Sequence, residues 1–309
     1  MIVETESHLF AKFTDAVSDD AVPVIFILGS PRTGSTLIYQ MMINFFECFY
    51  LSNFICDHFP ENPAVGTGLD VHLHTGSQVS YESSYGKTAG PFEPSEGSPV
   101  FSHWFGGGQP SQVNSARVLP DREDHMIASV KTMHALSGRP VLFKNAWNCF
   151  RIPELIRLFP RARFVWIRRD IVHSALSDLE SRIRNGGPNL WNSATTTNFE
   201  ELRKRPYWEQ VIEQQFEYNL AIDDALAAAG NRHVTVWYEA LIQDPTEEVV
   251  RLQEFFERSG IPLTREDAQF PALHRTPRPP DVPDDETKIR GYAAANEDRL
   301  TEYMWHASL

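Results

Sequence analysis

Two hydrophobic rhythms alternate along the chain. VPVIFIL (22–28) is a continuous β-branched run, the pattern of a strand buried on both faces, and TLIYQMMINFF (36–46) places apolar residues at helical spacing. The rhythm returns at PVLFK (140–144), a short strand ending on a lysine, then at the amphipathic RIPELIRLFP and at RFVWIRR (163–169), a further strand. Asp170 caps a helix, IVHSALSDLESRIR, which NGGP ends. Tyr207 to Ala229 reads as one long helix, RHVTVWYEAL as a strand running into the turn QDP, and EEVVRLQEFFERSG as a helix with a glycine stop. Strand and helix alternating in this way predict an α/β protein of three layers, a parallel sheet flanked by helices, in a single domain over 1–309.

Two stretches break the rhythm. Residues 60–125 are rich in Gly, Ser and Pro with interspersed His, Trp and Phe, which predicts an irregular insertion that faces a substrate. The polar loop 186–198 is long enough to act as a lid, and the proline-rich stretch 271–285 reads as irregular.

Composition narrows the function. At 309 residues and 42% hydrophobic the chain buries a sizeable core. The absence of an apolar run of about eighteen residues and an acidic, patterned N-terminus predict a soluble, cytoplasmic protein without integral membrane contact. A net charge of −13 argues against nucleic acid as the main partner, since that needs a broad basic face. Six arginines nevertheless fall between Arg151 and Arg169, about half of them accounted for by a solvated helix face. Cys48, Cys56 and Cys149 are too few and too scattered for a disulfide framework or a zinc site and read as packing residues.

The octet joining the first strand to the first long helix is GSPRTGST (29–36), with the two glycines and closing hydroxyl of a phosphate-binding loop. Amides of such a turn, added to the positive end of the next helix, bind an oxyanion without any side chain. Side chains decide which oxyanion. Ser35 stands where a nucleotide triphosphatase carries the lysine that reads the β and γ phosphates, and Arg32 supplies a cation three positions earlier.

GSPRTGST resembles the 5′-phosphosulfate loop of the sulfotransferases that use 3′-phosphoadenosine 5′-phosphosulfate (PAPS). Arg169 and Ser177, eight residues apart in RDIVHSALS, are similar to the family's pair for the donor's 3′-phosphate. YEAL followed by DP resembles the signature near the adenine pocket, and Lys144 matches a lysine that approaches the donor's bridging oxygen. The likeness runs from about residue 22 to 260. It implies the P-loop-like sulfotransferase fold, donor contacts from Pro31, Arg32, Thr33, Gly34, Ser35, Thr36, Arg169, Ser177 and Tyr238, and metal-independent in-line transfer with Arg32 and Lys144 as catalytic cations.

The chain departs from the family at the base. Many relatives place a histidine two residues after the strand lysine, where this chain has Ala146. Other branches use a carboxylate from beyond the first helix. The eligible groups are Asp57, His58, Glu93, Glu96 and His103, with Glu93 or Glu96 favoured because EPSE lies in the insertion. His72 and His74 alternate as strand or loop neighbours would, and with no third ligand nearby no metal site is expected; His173 reads as a packing or helix-face residue. Two rivals stand beside the sulfotransferase: an ATP-dependent P-loop small-molecule kinase, and a non-catalytic donor-binding relative. The acceptor stays open among small-molecule, carbohydrate and lipid-like hydroxyl compounds, with Tyr81, Tyr85, Phe92, Phe101, Trp104, Phe105 and Trp191 available either to stack on it or to fill the core. Sequence does not report the oligomeric state.

Overall fold

The structure is a computed structural model and describes residues 1–14, 22–74, 78–83, 86–107, 116–270 and 283–306. Five strands, β1 (Val24–Leu28), β2 (Phe49–Tyr50), β3 (Val141–Lys144), β4 (Arg163–Arg168) and β5 (His233–Trp237), form one sheet in the order β2-β3-β1-β4-β5, every neighbouring pair parallel. The helices before β3 are α1 (Ile2–Phe13), α2 (Ser35–Phe45), α3 (Asn53–His58), α4 (Pro63–Leu73), α5 (Ser98–Phe105) and α6 (Glu123–Ser137). After it come α7 (Ile152–Leu158), α8 (Ile171–Asn185), α9 (Phe199–Leu202), α10 (Tyr207–Ala229), α11 (Tyr238–Gln243), α12 (Pro245–Arg258), α13 (Pro283–Ala295) and α14 (Glu297–Leu300).

The continuous apolar strands are explained by burial on both faces. Val24, Phe26 and Leu28 of β1 join Phe143 and Phe164 in a core that includes Trp104, Leu155, Leu179 and Ile222 from α5, α7, α8 and α10. Ile25 and Ile27 point the other way, into a second core with Met41 and Met42 of α2 and Leu252 and Phe256 of α12. A period of two across the strand thus separates two helix layers, the three-layer arrangement that the alternation predicts.

Three expectations are corrected. Residues 60–125 are not irregular throughout: they contain α4, α5 and the first turn of α6, and Phe101, Trp104 and Phe105 are buried core residues at 0–1% exposure. An aromatic residue that fills the space beside β3 removes more apolar surface from water there than it would in a cleft. His72 lies in the last turn of α4 and His74 caps it, rather than alternating along an extended strand. YEAL does not prolong β5: Tyr238 begins α11, so the chain turns as it leaves the sheet. The proline-rich stretch is outside the described residues from 271 to 282, and α13 begins at Pro283.

Sheet order positions the site. β1 has β3 on one side and β4 on the other, so the chain leaving β1 enters the crevice of a topological switch point, where α/β sheets bind ligands. The segments that follow β1, β3, β4 and β5 all emerge at the same carboxyl edge, because all five strands are parallel.

Candidate active site

At that edge lies an open cleft of about 1580 Å³. Its floor is the octet after β1. Gly29 has to be glycine because a Cβ there would meet Ile167 Cγ2 at 2.7 Å and the Ile167 carbonyl at 2.9 Å. Arg32 holds a left-handed φ of 68°, uncommon for a residue with a side chain, and Gly34 caps α2 at φ 89°. The first helical bond of α2 runs from Ile38 N–H to the Gly34 carbonyl at 3.1 Å, so the preceding amides have no partner within the helix and lie at its positive end. Thr33 is turned inward, 1% exposed, and closes the loop by donating to the Ser30 carbonyl at 2.8 Å, whereas Pro31, Arg32, Gly34, Ser35 and Thr36 line the cleft.

Gly34 also carries the first mutational expectation. A Cβ there would sit 2.5 Å from Tyr238 Cδ2, and the left-handed backbone adds about 1–2 kcal/mol against any L side chain. Gly34→Ala should therefore lower stability in denaturant unfolding by about 1–3 kcal/mol. Anion binding at the loop should fall with it, and binding at the wild-type level in calorimetry would show that the loop does not need this conformation.

On one side of the loop four predicted residues come together. Arg169 follows β4, and its Nη1 donates to the Arg32 carbonyl at 2.9 Å while its guanidinium stacks on the Tyr238 ring at 4.6 Å. Arg32 Nε donates to Ser177 Oγ at 3.3 Å from the second turn of α8. Burial pushes the Arg169 guanidinium below the ordinary arginine range, opposed by Tyr238 and Glu239, and its Nε is buried with no partner among the described residues. Ser30 Oγ is orphaned in the same way. Glu239, from α11, accepts the Asp170 N–H at 3.2 Å, and burial raises its carboxyl above the usual range.

On the other side Lys144, 7% exposed at the end of β3, pairs with the Glu96 carboxylate and donates to Thr36 Oγ1 at 3.4 Å. Asn145 steadies Glu96 by donating to its carbonyl at 3.0 Å. Gly86 gives that carboxylate room: a Cβ there would lie 2.7 Å from Glu96 Oε1.

The two carboxylates of EPSE part company. Glu96 lines the cleft, while Glu93 accepts the Ser80 N–H at 3.1 and 3.2 Å and is not among the lining residues. Asp57 lines the cleft, and His58 and His103 do not. The insertion contributes Ser83, Lys87, Thr88 and Ser95 to the wall in place of its aromatic residues; Tyr85 is outside the described residues. From 186–198, Trp191, Asn192 and Ser193 reach the cleft, and the loop is tied to α10 by Tyr218 OH and Gln214 Nε2, which donate to the Ala194 and Asn192 carbonyls at 3.0 and 2.8 Å.

The arginine run disperses as well. Of the six, only Arg169 lines the cleft: Arg151 is buried against Phe105, Arg157 pairs with Glu123 and Glu154, Arg161 and Arg163 bond carbonyls after α12, and Arg168 stacks on Trp237 and Trp166. Alternation along β4 and a turn into α8 send neighbouring arginines to different sides, which linear spacing does not reveal. His173, read from the sequence as a packing or helix-face residue, takes the helix-face place and lines the cleft one turn before Ser177. The i, i+4 spacing was the available signal.

A parallel sheet with a glycine loop at its switch point and helices on both faces defines the P-loop-like α/β class. Residues 23–262 match the sulfotransferase family, and the chain belongs to it. A Caenorhabditis elegans protein named "Putative protein-tyrosine sulfotransferase" is 25% identical over 167 residues, 52% of this chain and 57% of that one. Its namesake in Caenorhabditis briggsae is 24% identical over 166 residues, 52% and 53% of the two chains, so the match spans little more than half of these relatives. The crystal structure of a Mycobacterium avium sulfotransferase superposes with a TM-score of 0.51 at 13% identity, over 95% of this chain and 76% of that one, a likeness of fold. Among the described residues no helix is long and apolar enough to cross a membrane.

Proposed function

We propose that this protein is a PAPS-dependent sulfotransferase that modifies a hydroxyl group without a metal ion. One observation carries the reading: a single cleft joins the Arg32–Arg169–Ser177 cluster to the Lys144–Glu96 pair across the amides that open α2. The residues fit a doubly phosphorylated donor, since the orphaned Arg169 Nε and Ser30 Oγ are the kind of buried donors an anion satisfies. In this reading the α2 amides, Arg32, Ser35 and Thr36 hold the 5′ end, Arg169 and Ser177 the 3′-phosphate, and Tyr238 packs beside the base.

The donor supplies the sulfuryl group and leaves as adenosine 3′,5′-bisphosphate. Transfer forms the bond from acceptor oxygen to sulfur and breaks the bond from sulfur to the phosphate oxygen. Lys144 and Arg32 neutralise charge growing on that leaving oxygen. Glu96 takes the acceptor proton, once Lys144 turns from the carboxylate to the leaving group. Glu93, engaged with Ser80, has the weaker claim to that role. The names of the nematode relatives favour a tyrosine hydroxyl on a polypeptide as acceptor over small-molecule, carbohydrate or lipid-like alcohols.

Calorimetry without metal should show tight binding of adenosine 3′,5′-bisphosphate and none of ATP with magnesium. The reverse preference would replace this reading with the P-loop kinase. Bisphosphate binding without sulfate transfer to any acceptor in a PAPS screen would leave the non-catalytic relative.

A further inference from the structure

The turn from β4 into α8 holds one more cleft-facing group than the donor reading uses. Along α8, Ile171, Val172, Ser174, Ala175 and Leu176 are buried, while His173, Ser177 and Glu180 are half-buried. Offsets of four and three put these three residues on one stripe of the helix, and all three line the cleft. His173 therefore presents its ring beside Ser177 on the same wall, about 5–6 Å away between Cβ atoms for such a pair.

The ring is also oriented. Asp170 caps α8 by accepting the His173 N–H at 2.9 Å, and the same carboxylate oxygen lies 3.3 Å from His173 Nδ1. With Nδ1 turned to Asp170, Nε2 at the opposite edge of the ring is directed away from the cap. Around this stretch, Arg32 reaches Ser177 and Arg169 reaches the Arg32 backbone, so two guanidinium groups and a hydroxyl gather on the cleft wall that His173 also lines. A phosphate monoester has three terminal oxygens and accepts more hydrogen bonds than Arg169 and Ser177 supply.

We propose that His173, as an imidazolium whose two N–H groups both donate, is a third side-chain ligand of the donor's 3′-phosphate, giving a hydrogen bond from Nε2–H while Nδ1–H is held by the Asp170 carboxylate. The inference rests on the PAPS reading of the cleft. It makes His173 a residue that distinguishes nucleotides carrying a 3′-phosphate from those without one.

The test is calorimetric titration of wild type, His173→Ala, His173→Phe and His173→Gln with adenosine 3′,5′-bisphosphate and with adenosine 5′-phosphate. One charge-assisted hydrogen bond corresponds to roughly a tenfold or larger change in affinity. His173→Ala and His173→Phe should lose about tenfold or more for the bisphosphate and less than about twofold for the monophosphate, and His173→Gln, which keeps a donor, should recover part of the loss. The ratio of the two affinities is measured on one protein sample, so partial unfolding cancels from it. An unchanged ratio, or full loss in the glutamine variant, overturns the assignment of His173 alone. A wild type that does not prefer the bisphosphate to the monophosphate overturns the donor reading itself, and this proposal with it.

Discussion

Replacing Glu96 with glutamine should reduce sulfate transfer by about 10²- to 10⁴-fold, the range that loss of a positioned general base gives, while leaving affinity for adenosine 3′,5′-bisphosphate within about threefold of wild type. The two readouts separate because glutamine keeps the shape and an acceptor oxygen for Lys144, so the pair that borders the glycine loop stays in contact. What glutamine cannot do is take a proton from the acceptor. Single-turnover transfer and calorimetry on the same preparation decide the matter. Turnover near wild type in Glu96→Gln would remove Glu96 as the base and return attention to Asp57, the other cleft-lining carboxylate among those considered. Glu93→Gln serves as the control: its carboxylate holds the Ser80 amide, so the change should affect the loop locally and leave transfer close to wild type.

What the sequence made legible follows from where the determinants lie. Buried parallel strands must be apolar on both faces, and the tight turn after β1 must place glycine where Ile167 and Tyr238 leave no room, so β1, β3, β4 and the octet were visible as local patterns. That Arg169 and Ser177 line one cleft, each bonded to Arg32, was equally local, since eight residues span a strand end and two helical turns. Side-chain direction was not legible. Nothing in EPSE tells that Glu93 turns to Ser80 and Glu96 to Lys144, a choice made by partners 13 residues before the first and 48 after the second. The aromatic residues of the insertion read equally as a substrate surface or as core, because they lie among glycines and prolines. Folding used Phe101, Trp104 and Phe105 of α5 to fill the space over Phe143, which only the long-range packing of the insertion reveals. For His173 the sequence left packing and a helix face open: its apolar neighbours belong to the buried faces of α8 and the histidine to the remaining one.

Arg169→Ala should lower affinity for adenosine 3′,5′-bisphosphate by about 10²- to 10³-fold, on the order of 3–4 kcal/mol, because a bidentate guanidinium contact with a phosphate combines two charge-assisted hydrogen bonds. Arg169→Lys should recover little, since a single ammonium cannot both donate to the Arg32 carbonyl and present a planar fork to an anion while stacked on Tyr238. Part of the alanine effect is indirect: the Arg32 carbonyl loses its donor in a loop already held at a left-handed φ, and the Tyr238 ring loses its cover. Adenosine 5′-phosphate isolates that part. If loop disorder were the whole cause, both nucleotides would weaken together. A selective loss for the bisphosphate, with thermal stability near wild type, is the expected result, and affinity unchanged in Arg169→Ala would move the 3′-phosphate site away from the end of β4.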